Sequence, residues 1–153
     1  MAQQKIVHIV GTGTIGEPLI GILSTFKEQF GIDEVTFHKR TPLVTDRSKV
    51  TVSCNQGAKL AVDKDRWQKF VEMGMHPSLE AEEAIERASV IIDCTPVGNE
   101  NKEKLYNKYA SNGRGFIAQG SEDGFGKKYA RGINDKALER GKDQFIQVVS
   151  CNT

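Results

Sequence analysis

Cysteine is scarce in this sequence: Cys54, Cys94 and Cys151 are its only three, far apart and without a CxxC pair. That spacing excludes a secreted disulfide framework and a zinc ribbon, and no other grouping suggests a metal site. Long apolar runs are missing too, since none approaches the roughly 20 residues that a membrane helix needs. The opening MAQQKIVHIVGTG lacks a cationic stretch running into a long apolar segment, so no signal peptide is read there. An excess of either charge is also absent. With 21 basic and 20 acidic residues the net charge is +1, which offers no general attraction for nucleic acid or an anionic membrane. No internal repeat, low-complexity tract or linker divides the chain. The expectation is one cytoplasmic globular domain spanning 1–153, able to bury one core.

What is present is an alternation of strand and helix patterns. KIVHIV (5–10) reads as a buried strand, and EVTFH (34–38) as a second. Between them Ile15, Leu19, Ile22, Leu23, Phe26 and Phe30 recur at helical spacing, with Gly31 placed to end the helix. The stretch 39–57 is polar and irregular, with a short strand at 50–53. Further strands are read in AKLAV, SVIIDCTP, GFIAQG and 144–149. Helices are read in DKDRWQKFVEMG, in 78–88 behind a capping Ser78, in NKEKLYNKYASNG and near 135–140. The order predicts an α/β fold with a mostly parallel sheet and helices on both faces.

The first strand runs into GTGTIG, which sets Gly11, Gly13 and Gly16 at GxGxxG spacing. In a chain this rich in glycine the pattern arises by accident in roughly one case in seven, so the spacing alone is weak. Its place between a buried strand and an amphipathic helix is what makes it a dinucleotide-binding turn of Rossmann type. Gly11 allows the tight turn, Gly13 lets a pyrophosphate approach the backbone, and Gly16 lets helix and strand touch. The helix N-terminus then faces the phosphates, and Pro18 fits its first turn. NAD-binding domains usually place an acid at the end of the second strand. Here FHKRTP offers Lys39 and Arg40 instead. Two cations suit a 2′-phosphate, so NADP is the expected cofactor, with NAD as the alternative.

The C-terminal FIQVVSCNT sets Cys151 after a strand, with Asn152 and Thr153 as helix-start residues. A cysteine at a helix N-terminus is richer in thiolate and so is a candidate nucleophile. Cys54 and Cys94 read as small buried hydrophobes.

GTGTIG, KRTP after the second strand, ASVIIDCTPVG, FIAQGSE and VVSCNT together resemble the archaeal-type glyceraldehyde-3-phosphate dehydrogenases, across nearly the whole chain and in the same order. The resemblance implies a Rossmann cofactor domain followed by a catalytic domain, with the nucleophilic cysteine at their junction. It assigns Cys151 as nucleophile and places Ser150 and Asn152 on the aldehyde substrate. It sets Thr14, Ile15, Gly120 and Ser121 on the cofactor and Thr95 and Pro96 beside the nicotinamide. It further implies a small-molecule substrate for the whole enzyme and a homo-oligomer. Thr12 and Ser121 depart from the family pattern, and 43–56 fits it poorly. The resemblance also implies a base histidine and phosphate-binding residues beyond Thr153. His8, His38 and His76 are not placed to serve Cys151. The expectation is therefore a cofactor domain, cut at the seam with its catalytic half and inactive alone. Rival readings are the cofactor domain of a related aldehyde or semialdehyde dehydrogenase, an NADP-sensing module without turnover, and a purely structural Rossmann domain.

Overall fold

Strand β1 (Ile6–Val10) is buried along its whole length, as a central parallel strand covered on both faces must be. The computed structural model describes residues 3–119 and 123–149, without the side chain of Asn112. After β1 come helices α1 (Gly16–Thr25) and α2 (Lys27–Phe30), strand β2 (Glu34–His38), α3 (Arg47–Asn55) and β3 (Lys59–Val62). Next follow α4 (Trp67–Glu72), β4 (Leu79–Glu80), α5 (Ala81–Arg87), β5 (Val90–Asp93) and α6 (Gly98–Lys104). Strands β6 (Gly115–Gln119), β7 (Lys127–Tyr129) and β8 (Phe145–Val148) complete the described chain. The eight strands form one sheet in the order β4-β3-β2-β1-β5-β6-β8-β7. Its pairings are all parallel.

Two apolar clusters glue the helices to opposite faces. Ile9, Phe37, Leu60 and Phe70 belong to one, with Ile20 of α1 and Val50 of α3. Val10, Ile85, Ile91, Tyr106 and Phe116 belong to the other. Each fully buried aliphatic or aromatic side chain stabilises the fold by about 1.5–3 kcal/mol relative to exposure. The sheet is a doubly wound α/β sheet of Rossmann type, as its alternating pattern predicts. No helix among the described residues is long and apolar enough to cross a membrane.

Several local readings change; the helix read in NKEKLYNKYASNG, for one, ends at Lys104 and gives way to the 3-10 turns Tyr106–Lys108 and Ala110–Asn112. The buried line of α1 runs through Gly16, Ile20 and Ser24, with Leu19 and Leu23 packed beside it. Ile15, Ile22, Phe26 and Phe30 are about half exposed. The contact of Gly16 with the glycine turn fixes the helix's rotation, so apolarity alone points the stripe wrongly. Residues 50–53 lie in α3 and not in a strand. Their β-branched residues suggest extension, but only Val50 and Ser53 are buried there, three apart as in a helix. Ser78 does not cap α5; its N–H bonds the Leu60 carbonyl at 2.8 Å, and Glu80 takes the cap position. The helix expected at 135–140 is only a 3-10 turn, Asp135–Ala137. Its Asp135 carboxylate is drawn to the Gly132 N–H and the Tyr129 hydroxyl, and β7 precedes it unanticipated.

Candidate functional site

Chain order reverses between β1 and β5: β2 to β4 extend to one side of β1, while β5 to β8 extend to the other. Parallel sheets bind ligands at the carboxyl ends of such a pair, because the loops there part and leave a crevice. The loop after β1 is the glycine turn. Gly11 has φ 101°, a conformation that L side chains rarely adopt. A Cβ on Gly16 would lie 1.9 Å from the Gly11 carbonyl oxygen, so no larger residue fits without moving the turn. A Cβ on Gly13 would meet nothing within 4 Å. That glycine therefore answers to no protein neighbour, and it leaves an open approach to the backbone. In the first turn of α1 the Glu17 N–H bonds the Gly13 carbonyl at 3.0 Å, the Leu19 N–H bonds the Ile15 carbonyl at 3.2 Å and Pro18 carries none, so donors for a phosphate come from the turn that leads into the helix.

The loop after β5 is held by a buried carboxylate. Asp93 is fully buried. Its Oδ1 accepts from the Thr95 N–H at 2.8 Å and the Thr95 hydroxyl at 2.6 Å. Its Oδ2 accepts from the Tyr106 hydroxyl at 2.6 Å and the Asn101 amide at 2.8 Å. Burial and the Asp93 charge both push the Tyr106 phenol up, so it stays a donor. Asp93 thus ties β5, α6 and Tyr106 to one loop and sets Thr95 against Gly11, where a Gly11 Cβ would come 3.1 Å from Thr95 Cγ2. Asp93 lies within ASVIIDCTPVG but is given no role there, and Asn101 lies in no motif; an acid ending an apolar strand is the available signal.

Gly13, Thr14, Ile15, Thr95 and Pro96 line one cleft of about 380 Å³, together with Cys94 and Gln119. Burial, helped by the Asp93 charge, pushes the Cys94 thiol up to about 12, so it is no nucleophile at neutral pH. Burial likewise raises the Cys54 thiol. On the other side of the Gly11–Thr95 contact, Thr12, His38, Lys39 and Arg40 line a second hollow of about 520 Å³. The two hollows share Thr95 at the switch point.

At this second end the structure adds carboxylates that the reading of FHKRTP missed. Lys39 is buried, and its Nζ pairs with Asp46 Oδ2 at 2.6 Å while reaching Thr12 Oγ1 at 3.5 Å. Arg40 is exposed. His38 Nε2 meets Asp63 Oδ1 at 3.0 Å, and that bond, first among several causes, lowers the Asp63 carboxyl. His8 lies at the middle of β1, its Nδ1 on Thr36 Oγ1 at 2.7 Å. Gly120, Ser121, Ser150, Cys151 and Asn152 lie outside the described residues. Among the described residues no cluster of histidine, cysteine and carboxylates could hold a metal ion.

No protein-family model matches the chain. Sequence comparison with curated proteins gives one consistent answer. The chain is similar to archaeal glyceraldehyde-3-phosphate dehydrogenases. It is 33% identical to the enzyme of Pyrobaculum arsenaticum over 150 residues, which are 96% of this chain and 40% of that one. The enzyme of Methanobacterium formicicum is 35% identical over 154 residues, 97% of this chain and 42% of the relative. That of Sulfolobus acidocaldarius is 30% identical over 152 residues, with 96% and 40% covered. The chain therefore spans about two fifths of the length of these glyceraldehyde-3-phosphate dehydrogenases. Among solved structures, an imine reductase from a Pseudomonas species aligns with TM-score 0.44 and 21% identity, over 75% of this chain and 32% of that one. That likeness is too slight to carry an argument.

Proposed function

We propose that the chain is the nicotinamide-dinucleotide-binding part of a phosphorylating glyceraldehyde-3-phosphate dehydrogenase, with NADP preferred and NAD accepted. The observation that supports this best is the fit at the switch point. Gly16 abuts the Gly11 carbonyl, Gly13 is left open, and Thr95 touches Gly11 from the other side of the crevice. A pyrophosphate over Gly11 and Gly13 would be met by the N–H groups leading into α1. Thr14, Ile15, Thr95 and Pro96 would flank the nicotinamide in the cleft they line. Lys39 and Arg40 would meet the 2′-phosphate, and Gly120 and Ser121 would complete the cofactor site. When bound, the nicotinamide supplies a hydride acceptor.

The resemblance carries the remaining roles. Cys151 would act as nucleophile, its thiolate adding to the aldehyde carbon, with Ser150 and Asn152 beside the substrate. Inorganic phosphate would release the acyl group from the cysteine and return the thiolate. Such chemistry needs a base. His8 is sealed in the sheet, His38 is engaged by Asp63, and His76 lies exposed in the loop that enters β4 at the opposite end of the sheet from the cleft, so this chain alone is expected to bind cofactor without turnover.

The test is titration calorimetry of the chain with NADP and with NAD, repeated for Lys39→Ala and Arg40→Ala. Charge-assisted hydrogen bonds contribute about 1.5–3 kcal/mol each, so NADP should bind at least tenfold tighter, and each variant should narrow the gap. Equal affinity for both cofactors would refute the preference; no binding of either would refute the site. Formation of NADPH from glyceraldehyde 3-phosphate by the chain alone would show that its catalytic base lies within these residues.

A further inference from the structure

We propose that Asp46 is a specificity-determining residue: its carboxylate holds the Lys39 ammonium and thereby restrains the preference for a nucleotide bearing a 2′-phosphate. The proposal rests on the reading of the cleft as a dinucleotide site and concerns how that site discriminates. Lys39 leaves the end of β2, and its N–H is tied to the Ala61 carbonyl at 3.2 Å. Its side chain turns under the glycine turn to Asp46, at the end of the 3-10 turn Val44–Asp46 that leads into α3. The Lys39 side chain is only 9% exposed, whereas that of Asp46 is 25% exposed. The cation is fixed, and its partner can still be reached from solvent.

The charges around it decide what an arriving phosphate meets. Lys39, Asp46, Lys49 and Glu17 line one small cavity with Thr12, and Lys49 is paired with Glu17 at 3.3 Å. Two cations face two carboxylates, so the cavity is balanced before any ligand arrives. Arg40, also at this end, is exposed, and its charge is felt by the Asp63 and Glu100 carboxylates of the same hollow. A 2′-phosphate drawn to Lys39 would have to take the cation from a carboxylate 2.6 Å away, at the cost of that ion pair. A nucleotide with a free 2′-hydroxyl meets no such penalty, because Asp46 can keep its cation. Asp46 thus acts on the second ribose position through its hold on Lys39, from a different loop than the strand-end acid of NAD-binding domains.

Asp46→Asn keeps the side chain's shape and removes its charge. We expect the ratio of NAD to NADP dissociation constants, measured by calorimetry on the chain at fixed ionic strength, to rise about tenfold, the scale of one charge-assisted hydrogen bond released to the ligand. Asp46→Ser, which removes the charge in a smaller side chain, should move the ratio the same way if the asparagine variant does not fold. In a Lys39→Met background the Asp46 substitution should leave the ratio unchanged, because the cation through which Asp46 acts is gone. An unchanged or lowered ratio in the single variants would overturn the role of Asp46. So would a full effect in the Lys39→Met background. If the unmutated chain binds neither nucleotide, the dinucleotide reading itself fails, and this inference falls with it.

Discussion

The His8 imidazole makes the stability of this fold sensitive to mild acid, by an amount that can be worked out. His8 is fully buried; Nδ1 meets Thr36, while Nε2 finds no partner among the described residues. A second ring proton would therefore enter the sheet without an acceptor. Desolvation, helped by the nearby His38 charge, lowers the group from 6.5 to about 3. The folded-state value lies below the unfolded one, so the contribution is fully present above about pH 6.5. It is lost as pH falls, because the unfolded chain takes up a proton that the folded chain refuses. Each unit of pKa difference corresponds to about 1.36 kcal/mol. Between pH 7.5 and 5 this one group should cost about 2 kcal/mol. Urea unfolding at pH 7.5, 6.0 and 5.0 measures it directly. His8→Gln keeps a polar partner for Thr36 and cannot titrate, so its stability should fall less across that range by about the same 2 kcal/mol. The lowered carboxyls of Glu34 and Asp63 act below their ordinary values of 4.5 and 3.8, outside this range. Parallel losses in the two proteins would refute the reasoning.

The glycine turn separates folding from binding: Gly16→Ala forces a Cβ onto the Gly11 carbonyl and should destabilise by about 1–3 kcal/mol or more. Gly13→Ala meets open space, so its melting temperature should hold while cofactor affinity drops; a stable Gly16→Ala or a tightly binding Gly13→Ala would contradict this. Tyr106→Phe removes one of four donors to Asp93 and should cost about 1.5–3 kcal/mol in chemical denaturation, with no loss at all counting against the network. Cys94, held at about 12 where a free thiol sits near 9.0, should present roughly a thousandfold less thiolate at pH 8. Iodoacetamide labelling read by mass spectrometry should find it slow, and labelling at the rate of a free thiol would refute the assignment.

Much of this protein is legible in its sequence because the relevant physics is local. KIVHIV followed by GTGTIG requires a buried strand, a turn with positive φ at Gly11 and a helix start, since only glycine avoids a Cβ at each of those places. The alternation of apolar strands and amphipathic helices then requires a parallel sheet with covered faces. VIID followed by CTP likewise marks a strand end at the site. Where packing competes with local preference, sequence is a poorer guide. The β-branched run at 50–53 is helical because α3 must lie against α1, and the exposed Ile22 and Phe26 show that Gly16, not apolarity, sets the rotation of α1. The charges at the far end of the cleft were hidden for a related reason. Lys39 and Arg40 are adjacent in the chain and alike in type, yet one is buried on Asp46 and the other stands in solvent. Asp46 is seven residues from Lys39, and Asp63 is twenty-five from His38. Only the parallel register of β2 with β3 and the path of the loop into α3 bring those pairs together, because ion pairs depend on distance in space, and a residue's neighbours in sequence do not report it.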